Sequence, residues 1–329
     1  MEKFKKFRMF LIAIVIIGCS GCKEKIRLLH PILPSTEIIF VRCKPFAEWS
    51  LWGMDRDGKN QIKLIAKPKP IRNPSWSPDG NKIMFVCGYG DAYGDEYAHI
   101  PSEIWIIDTA TMKTNKISVE KKYKISGDVC WFSSGEQILF TTGTCRRETY
   151  IVDISGKNLT KLPIPYKNNE SRRSIVCSPI EDTIIICALR GEGWKIYITD
   201  SKGRKIERLT EASSSTSEIS PCISLDGEWV AFDNSEKGYH KIILISLKTK
   251  KRYEISPFSK HLYLSRSMCF SPDEKKLIFE YDIPEVYKND LYTIDINGKN
   301  LKNLTNTPDW DESSLSWRPI VKVGRRGES

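Results

Sequence analysis

An interval constrains this chain more than any single residue does. Trp76-Ser77-Pro78-Asp79-Gly80 is followed by Ile83 and Phe85, and related stretches return at Trp131, Cys177, Ile223, Phe270 and Trp317. Successive anchors are 55, 46, 46, 47 and 47 residues apart. In five copies a second apolar anchor follows nine residues after the first: Phe85, Phe140, Ile186, Phe232 and Phe279. Ser, Pro and Gly at the first, second and fourth positions of Ser77–Gly80 suit a type I turn. The flanking apolar residues alternate with the period of a strand. Each copy is therefore a hairpin with an apolar anchor on either arm.

A second element follows each hairpin, a short apolar strand that in most copies ends in Asp and leads into a polar turn. Examples are Ile106-Ile107-Asp108, Ile151-Val152-Asp153 and Thr293-Ile294-Asp295, with turns such as Asp57-Gly58-Lys59-Asn60 and Asn297-Gly298-Lys299-Asn300. A final strand, as in Arg208-Leu209-Thr210, completes the unit. Four antiparallel strands in a period of 40 to 50 residues read as a propeller blade. One such sheet cannot bury both faces, so blades stack around a ring. Ile38, Ile39 and Phe40 match a second strand that lacks a first, whereas Leu315-Ser316-Trp317 matches a first strand that lacks a second. The expected fold is all-β: a six-bladed β-propeller of four-stranded antiparallel blades, closed by the C-terminal strand pairing into blade one. A strand over Leu28–Leu33 in that place is the alternative.

The Trp-Ser-Pro-Asp-Gly hairpin, the Asp-ending third strand and the Leu-Thr fourth strand resemble the TolB-type, WD40-like propeller repeat over about Glu37 to Pro319. That resemblance implies a fold used both by binding scaffolds and by the propeller domains of some peptidases. In that family a separate α/β domain precedes the propeller, and here 14 residues separate Cys22 from Glu37. The resemblance is therefore read as the propeller alone.

Residues 1–18 read as a lipoprotein signal peptide, with a basic Met1–Arg8 stretch and an apolar Met9–Gly18 run. Ten residues span about 15 Å of helix, half a bilayer core, which fits a cleaved leader better than a span. Ile16-Ile17-Gly18-Cys19 resembles the bacterial lipobox, which makes Cys19 the expected lipidation site. Residues 19–36 are then the lipidated Cys and a tether, 37–319 the propeller and 320–329 a disordered tail. The resemblance implies a lipid-anchored envelope protein, with Ser20 after the Cys favouring the outer membrane, facing the periplasm or the cell exterior.

The chain has 51 Lys and Arg against 41 Asp and Glu, a net charge of +10. Much of that charge sits in the leader and in hairpin turns, where lysines keep sheet edges soluble. A nucleic-acid footprint requires one clustered stripe, which the sequence lacks. No nucleic acid is expected as a partner, and no cofactor.

In such a blade the second-to-third loops share one face, and function belongs there. Phe85 to Asp108 spans 23 residues where its counterparts span 13 to 16. The insert interleaves Tyr89, Tyr93 and Tyr97 with Asp91, Asp95 and Glu96. Tyrosine gives large contact area at low entropic cost, so these six are the candidate ligand or partner site. Their spacing is not that of a calcium loop, and no metal site is assigned. Trp49, Trp194 and Trp310 lie off the anchor positions and are candidates for exposure.

There is no G-x-S-x-G elbow, H-E-x-x-H or phosphate loop, so no catalytic residue is assigned. The expected function is a non-catalytic scaffold binding an envelope protein or small ligand at the loop face, tied to the membrane by its lipid. The alternatives are a hydrolase or lyase with its site in the central channel, and a structural envelope protein. Of ten cysteines, Cys130, Cys222 and Cys269 hold the same position in different repeats and Cys177 is an anchor. Most are expected to be small buried apolar residues.

Overall fold

The structure is a computed structural model that describes residues 28–44, 48–67, 69–88, 102–120, 123, 125–142, 148–164, 171–181, 183–189, 193–210, 216–237, 239–255, 263–283 and 288–320. Among the described residues, twenty-four strands follow one another. Blade one holds β1 (Ile38–Lys44), β2 (Glu48–Met54) and β3 (Ile62–Lys67). Blade two holds β4 (Ile71–Trp76), β5 (Lys82–Cys87), β6 (Glu103–Asp108) and β7 (Thr114–Ile117). Blade three holds β8 (Ile125–Trp131), β9 (Gln137–Thr142), β10 (Glu148–Asp153) and β11 (Thr160–Leu162). Blade four holds β12 (Ser171–Cys177), β13 (Thr183–Leu189), β14 (Trp194–Asp200) and β15 (Glu207–Arg208). Blade five holds β16 (Thr216–Ile223), β17 (Trp229–Glu236), β18 (Tyr239–Ser246) and β19 (Arg252–Ile255). Blade six holds β20 (Tyr263–Phe270), β21 (Lys276–Ile283), β22 (Lys288–Asp295) and β23 (Lys302–Asn303), and β24 (Asp311–Trp317) follows.

The expected closure is present. Blade one has the order β24-β1-β2-β3, with Ile38 opposite Trp317 and Phe40 opposite Leu315. The second-strand anchors Phe40, Phe85, Phe140, Ile186, Phe232 and Phe279 are all buried. Apolar clusters form between blades rather than within them. One joins Ile39 and Leu51 of blade one to Trp76 and Phe85 of blade two, and another joins Phe40 and Trp317 to Ile278 and Leu291 across the closure. Stacking of consecutive sheets thus replaces a single core.

In blades two, five and six the turn after the inner strand is built from its own residues. Ser77 Oγ donates to Asp79 Oδ1 at 2.5 Å and accepts the Lys82 amide at 2.9 Å, and Gly80 N–H returns to the Ser77 carbonyl at 2.8 Å. The same pattern recurs at Ser224–Asp226 and Ser271–Asp273. Gly80 has φ +66°, open to glycine at no cost, but blade six puts Glu274 at φ +59° there. Glu274 offsets that strain by accepting the Asp226 amide of blade five at 2.7 Å.

Residues 28–36 form no strand, so the alternative closure through Leu28–Leu33 does not occur. They lie along the outside of blade one, where Leu29 N–H meets the Leu64 carbonyl at 2.8 Å and Leu28 and Ile32 pack on its apolar cluster. This covers an outer sheet edge that would otherwise present unpaired groups.

Candidate functional site: the central channel and the loop face

The innermost strand of each blade turns an unpaired edge toward the ring axis. Pro74 and Pro221, two residues before their anchors, suit such an edge because they remove an N–H from it. Each inner strand also carries a register shift against its partner, as between Arg72 and Ser75 or Ile219 and Cys222. Asn73, Ser220 and Ser314 take left-handed φ of 48°, 54° and 48° at these bulges. The bulge position, three residues before the anchor, holds Asn73, Asp128, Ser174, Ser220, Ser267 and Ser314, and all six line the channel. The cavity is about 1050 Å³.

Part of this polar wall holds the ring together. Ser267 Oγ accepts the Leu315 amide at 3.2 Å, Ser316 Oγ accepts the Trp76 amide at 3.2 Å, and Trp131 Nε1 donates to the Ser75 carbonyl at 3.2 Å. Each bond laces one inner strand to the next. A disulfide does the same between blades three and four: Cys130 is bonded to Cys177 with Cα atoms 5.9 Å apart. The expectation that cysteines here are packing residues is corrected for this pair. A residue just before one anchor comes beside the next blade's anchor, a proximity set by the ring. Cys43, Cys87, Cys187 and Cys222 are buried thiols and follow the expectation. Burial pushes the Cys269 thiol up to about 12.

Another part of the wall is left over. Trp76 Nε1, Trp317 Nε1, Ser174 Oγ and Asn289 Oδ1 are buried polar atoms with no hydrogen-bond partner among the described residues, and their residues all line the channel. Buried polar groups are normally satisfied. These four lie behind the channel wall, with the Trp76 and Trp317 rings packed in the clusters between blades.

Lipidation-site Cys19 and the candidate residues Tyr89, Asp91, Tyr93, Asp95, Glu96 and Tyr97 lie outside the described residues. The two feet of their insert are described. Arg72, on inner strand β4, donates from Nε to the Gly88 carbonyl at 3.1 Å and from Nη2 to Ser102 Oγ at 3.0 Å. One channel-lining guanidinium thus holds both ends of the long loop at the channel mouth. The sequence reading missed Arg72; its place four residues before an anchor, beside the longest insert, was the available signal. Trp49 and Trp194 are half-buried and line the channel, and Trp310 is half-buried beneath the Lys44 ammonium at 4.6 Å.

At the loop-face end of blade five, Asp233, Ser235 and His240 form a chain. His240 faces Ser235 in the strand register, with Nε2 3.4 Å from Ser235 Oγ and Nδ1 2.8 Å from Asp233 Oδ2. The buried carboxylate accepts from Nδ1, which leaves Nε2 to accept the serine hydroxyl. Among the described residues no group of three or more His, Cys, Asp or Glu is placed to hold a metal ion.

Solved structures share this fold. The structure of TolB from Acinetobacter baumannii superposes with a TM-score of 0.70 at 21% identity, over 87% of this chain and 67% of that one. The fold is a TolB-like propeller. In sequence, the Tol-Pal system protein TolB of Albidiferax ferrireducens is 42% identical over 52 residues, and that of Ruthia magnifica 29% identical over 117. These stretches are 16% and 35% of this chain, and they span 12% and 25% of the relatives' lengths. A Bacillus subtilis protein described as an uncharacterized peptidase, YuxL, is 24% identical over 65% of this chain and 30% of its own. An oligogalacturonate lyase in complex with manganese shares the TolB-like fold at a TM-score of 0.56 and 12% identity, over 88% of this chain and 86% of its own. No protein-family model matches the chain.

Proposed function

We propose that this protein is a lipid-anchored envelope protein whose TolB-like propeller is a non-catalytic scaffold, taking a protein or small ligand at the loop face and channel mouth. The observation that carries the reading is the channel of about 1050 Å³, whose wall repeats a polar residue at each inner-strand bulge: Asn73, Asp128, Ser174, Ser220, Ser267 and Ser314. The likeness to TolB proteins supports an envelope location, and the Cys19 lipobox supports a lipid anchor, assigned to the outer membrane.

Crosslinking and pull-down of the protein from its native membrane tests the reading. Asp128→Asn keeps the shape of the wall and removes a charge from the channel, and is expected to reduce capture of a crosslinked partner several-fold. Replacing Asp91, Asp95 and Glu96 by Ala is expected to do the same through the tethered loop. Recovery of no stoichiometric partner would favour a structural envelope protein. Cys19→Ser is expected to shift the protein from the membrane to the soluble fraction.

A second reading, a hydrolase, is favoured by the Ser235–His240–Asp233 chain. There His240 would take the Ser235 proton as Oγ adds to an acyl carbon, and hand it to the leaving group as the acyl–leaving-group bond breaks. It would then take a proton from the water that hydrolyses the acyl-serine. Its test is labelling by a fluorophosphonate probe that Ser235→Ala abolishes while partner capture is unchanged.

A further inference from the structure

The strand that closes the ring carries a buried carboxyl group with more negative than positive company. Glu312, on β24, has no exposed surface. From β1, Arg42 Nε donates to Glu312 Oε1 at 2.7 Å. That guanidinium is fixed, because its Nη2 also donates to Gln61 at 2.8 Å and it stacks on Trp52 at 4.4 Å. On the other side lies Asp290 of β22, itself buried. Thr307 bridges the two acids, its hydroxyl donating to Glu312 Oε1 at 2.5 Å and its amide to Asp290 Oδ1 at 3.3 Å.

Two carboxyl groups and one guanidinium, shut away from water, balance when one acid keeps a proton. The hydrogen bonds assign that proton. Asp290 already accepts from three donors, Asn303 Nδ2, the Thr305 hydroxyl and the Thr307 amide. Glu312 Oε2 receives no donor, which favours the protonated form. Burial, aided by Asp290 and opposed by Thr307 and Arg42, pushes the Glu312 carboxyl up to about 7.

The remaining groups around it do not supply the missing positive charge. From β21, Glu280 accepts the Ser314 amide. On β24 itself, Asp311 accepts the Asn289 amide at 3.0 Å. Cys43 on β1 and Cys269 on β20 are thiols, each pushed up to about 12, first by burial. Arg72 of β4 is directed at Gly88 and Ser102.

We infer that closure of the ring is proton-linked: a proton held on Glu312 stabilises the seat of β24 between blades one and six, and β24 loosens as that proton is lost. A group that binds its proton more tightly when the strand is seated gives stability that is full below the ordinary carboxyl range. That stability declines until the pH passes the folded value. Because β24 supplies Ser314, Ser316 and Trp317 to the channel wall, the wall would loosen with it. The inference stands independently of what the channel binds.

Hydrogen exchange on the full chain tests it, comparing peptides of 311–317 with those of 171–177 in blade four, both corrected for intrinsic exchange. The opening constant of 311–317 is expected to rise about tenfold per pH unit between pH 5 and 7 and then level off, with no such rise at 171–177. Glu312→Gln, which mimics the protonated group, should flatten the rise. Asp290→Asn removes the neighbouring charge and should move the plateau to lower pH. Parallel pH trends in the two peptides, or a rise that survives Glu312→Gln, would overturn the inference. If the Gln variant does not fold, an unmoved plateau in Asp290→Asn overturns it equally.

Discussion

The two faces of the ring use the same side chains in opposite ways. On the turn face, carboxylates stand among donors and stay ionised. Burial pulls the Asp79 carboxyl up, but hydrogen bonds from Ser77 and Asn81 outweigh it and leave it below the usual range. Asp273 is lowered first by the Ser271 hydroxyl, and Asp295 first by the Lys276 ammonium. On the loop-face side of the closure, Glu312 is raised, first by burial. A carboxyl flanked by backbone amides is a staple, whereas one flanked by another carboxyl is a titrating group. The turn face is therefore repetitive and local. The loop face departs from the repeat and carries the unusual chemistry.

The largest expected break in this contrast is Glu312→Ala. It leaves two buried donors, Arg42 Nε and the Thr307 hydroxyl, without their acceptor, at about 1–3 kcal/mol each and more for the charged one; chemical denaturation measures it. Next comes removal of the Cys130–Cys177 bond by a double Ser substitution. Cross-links of this span are worth about 2–4 kcal/mol, read from denaturation midpoints. Ser77→Ala removes the hydroxyl that joins Asp79 to the Lys82 amide and should cost about 1–2 kcal/mol. If Ser77→Ala cost as much as Glu312→Ala, the contrast between the faces would fail.

The pH dependence sharpens the comparison, because the two faces carry opposite signs. Asp79 and Asp273, lowered in the folded state, add stability above the ordinary carboxyl range and lose it as pH falls through their folded values. Glu312, raised, adds stability at acid pH and loses it as pH climbs toward about 7. Melting temperature in Glu312→Gln relative to the parent should fall behind at no pH above 7 by more than it does at pH 5. Asp79→Asn should lower stability above the carboxyl range and flatten the acid limb, leaving the shape of the profile near pH 7 unchanged. The smallest expected effect is on stability when Asp91, Asp95 and Glu96 become Ala, within about 0.5 kcal/mol, while partner capture drops.

The turn face was legible because its information is local. Ser77, Asp79, Gly80 and Lys82 lie within six residues, and recurrence every 46 to 55 residues fixes the number of blades. The closure by β24 was legible too, since Trp317 lacked a second strand and Phe40 lacked a first. The Glu312 site was not, because Arg42 and Glu312 are 270 residues apart. The Cys130–Cys177 bond fell between these cases. Each cysteine had a known place in its repeat, but their contact depends on how a first strand meets the next blade's anchor. Arg72 looked like any strand-edge cation until both feet of the long loop were found in its grasp.

The disulfide has a further consequence that comes from where it lies. Blades three and four stand across the ring from the junction of blades six and one. A bracelet with its rivet opposite its clasp opens in one way: the halves swing apart about the rivet and return to the same fit. Excursions of the clasp would thus leave the alignment of the far side undisturbed.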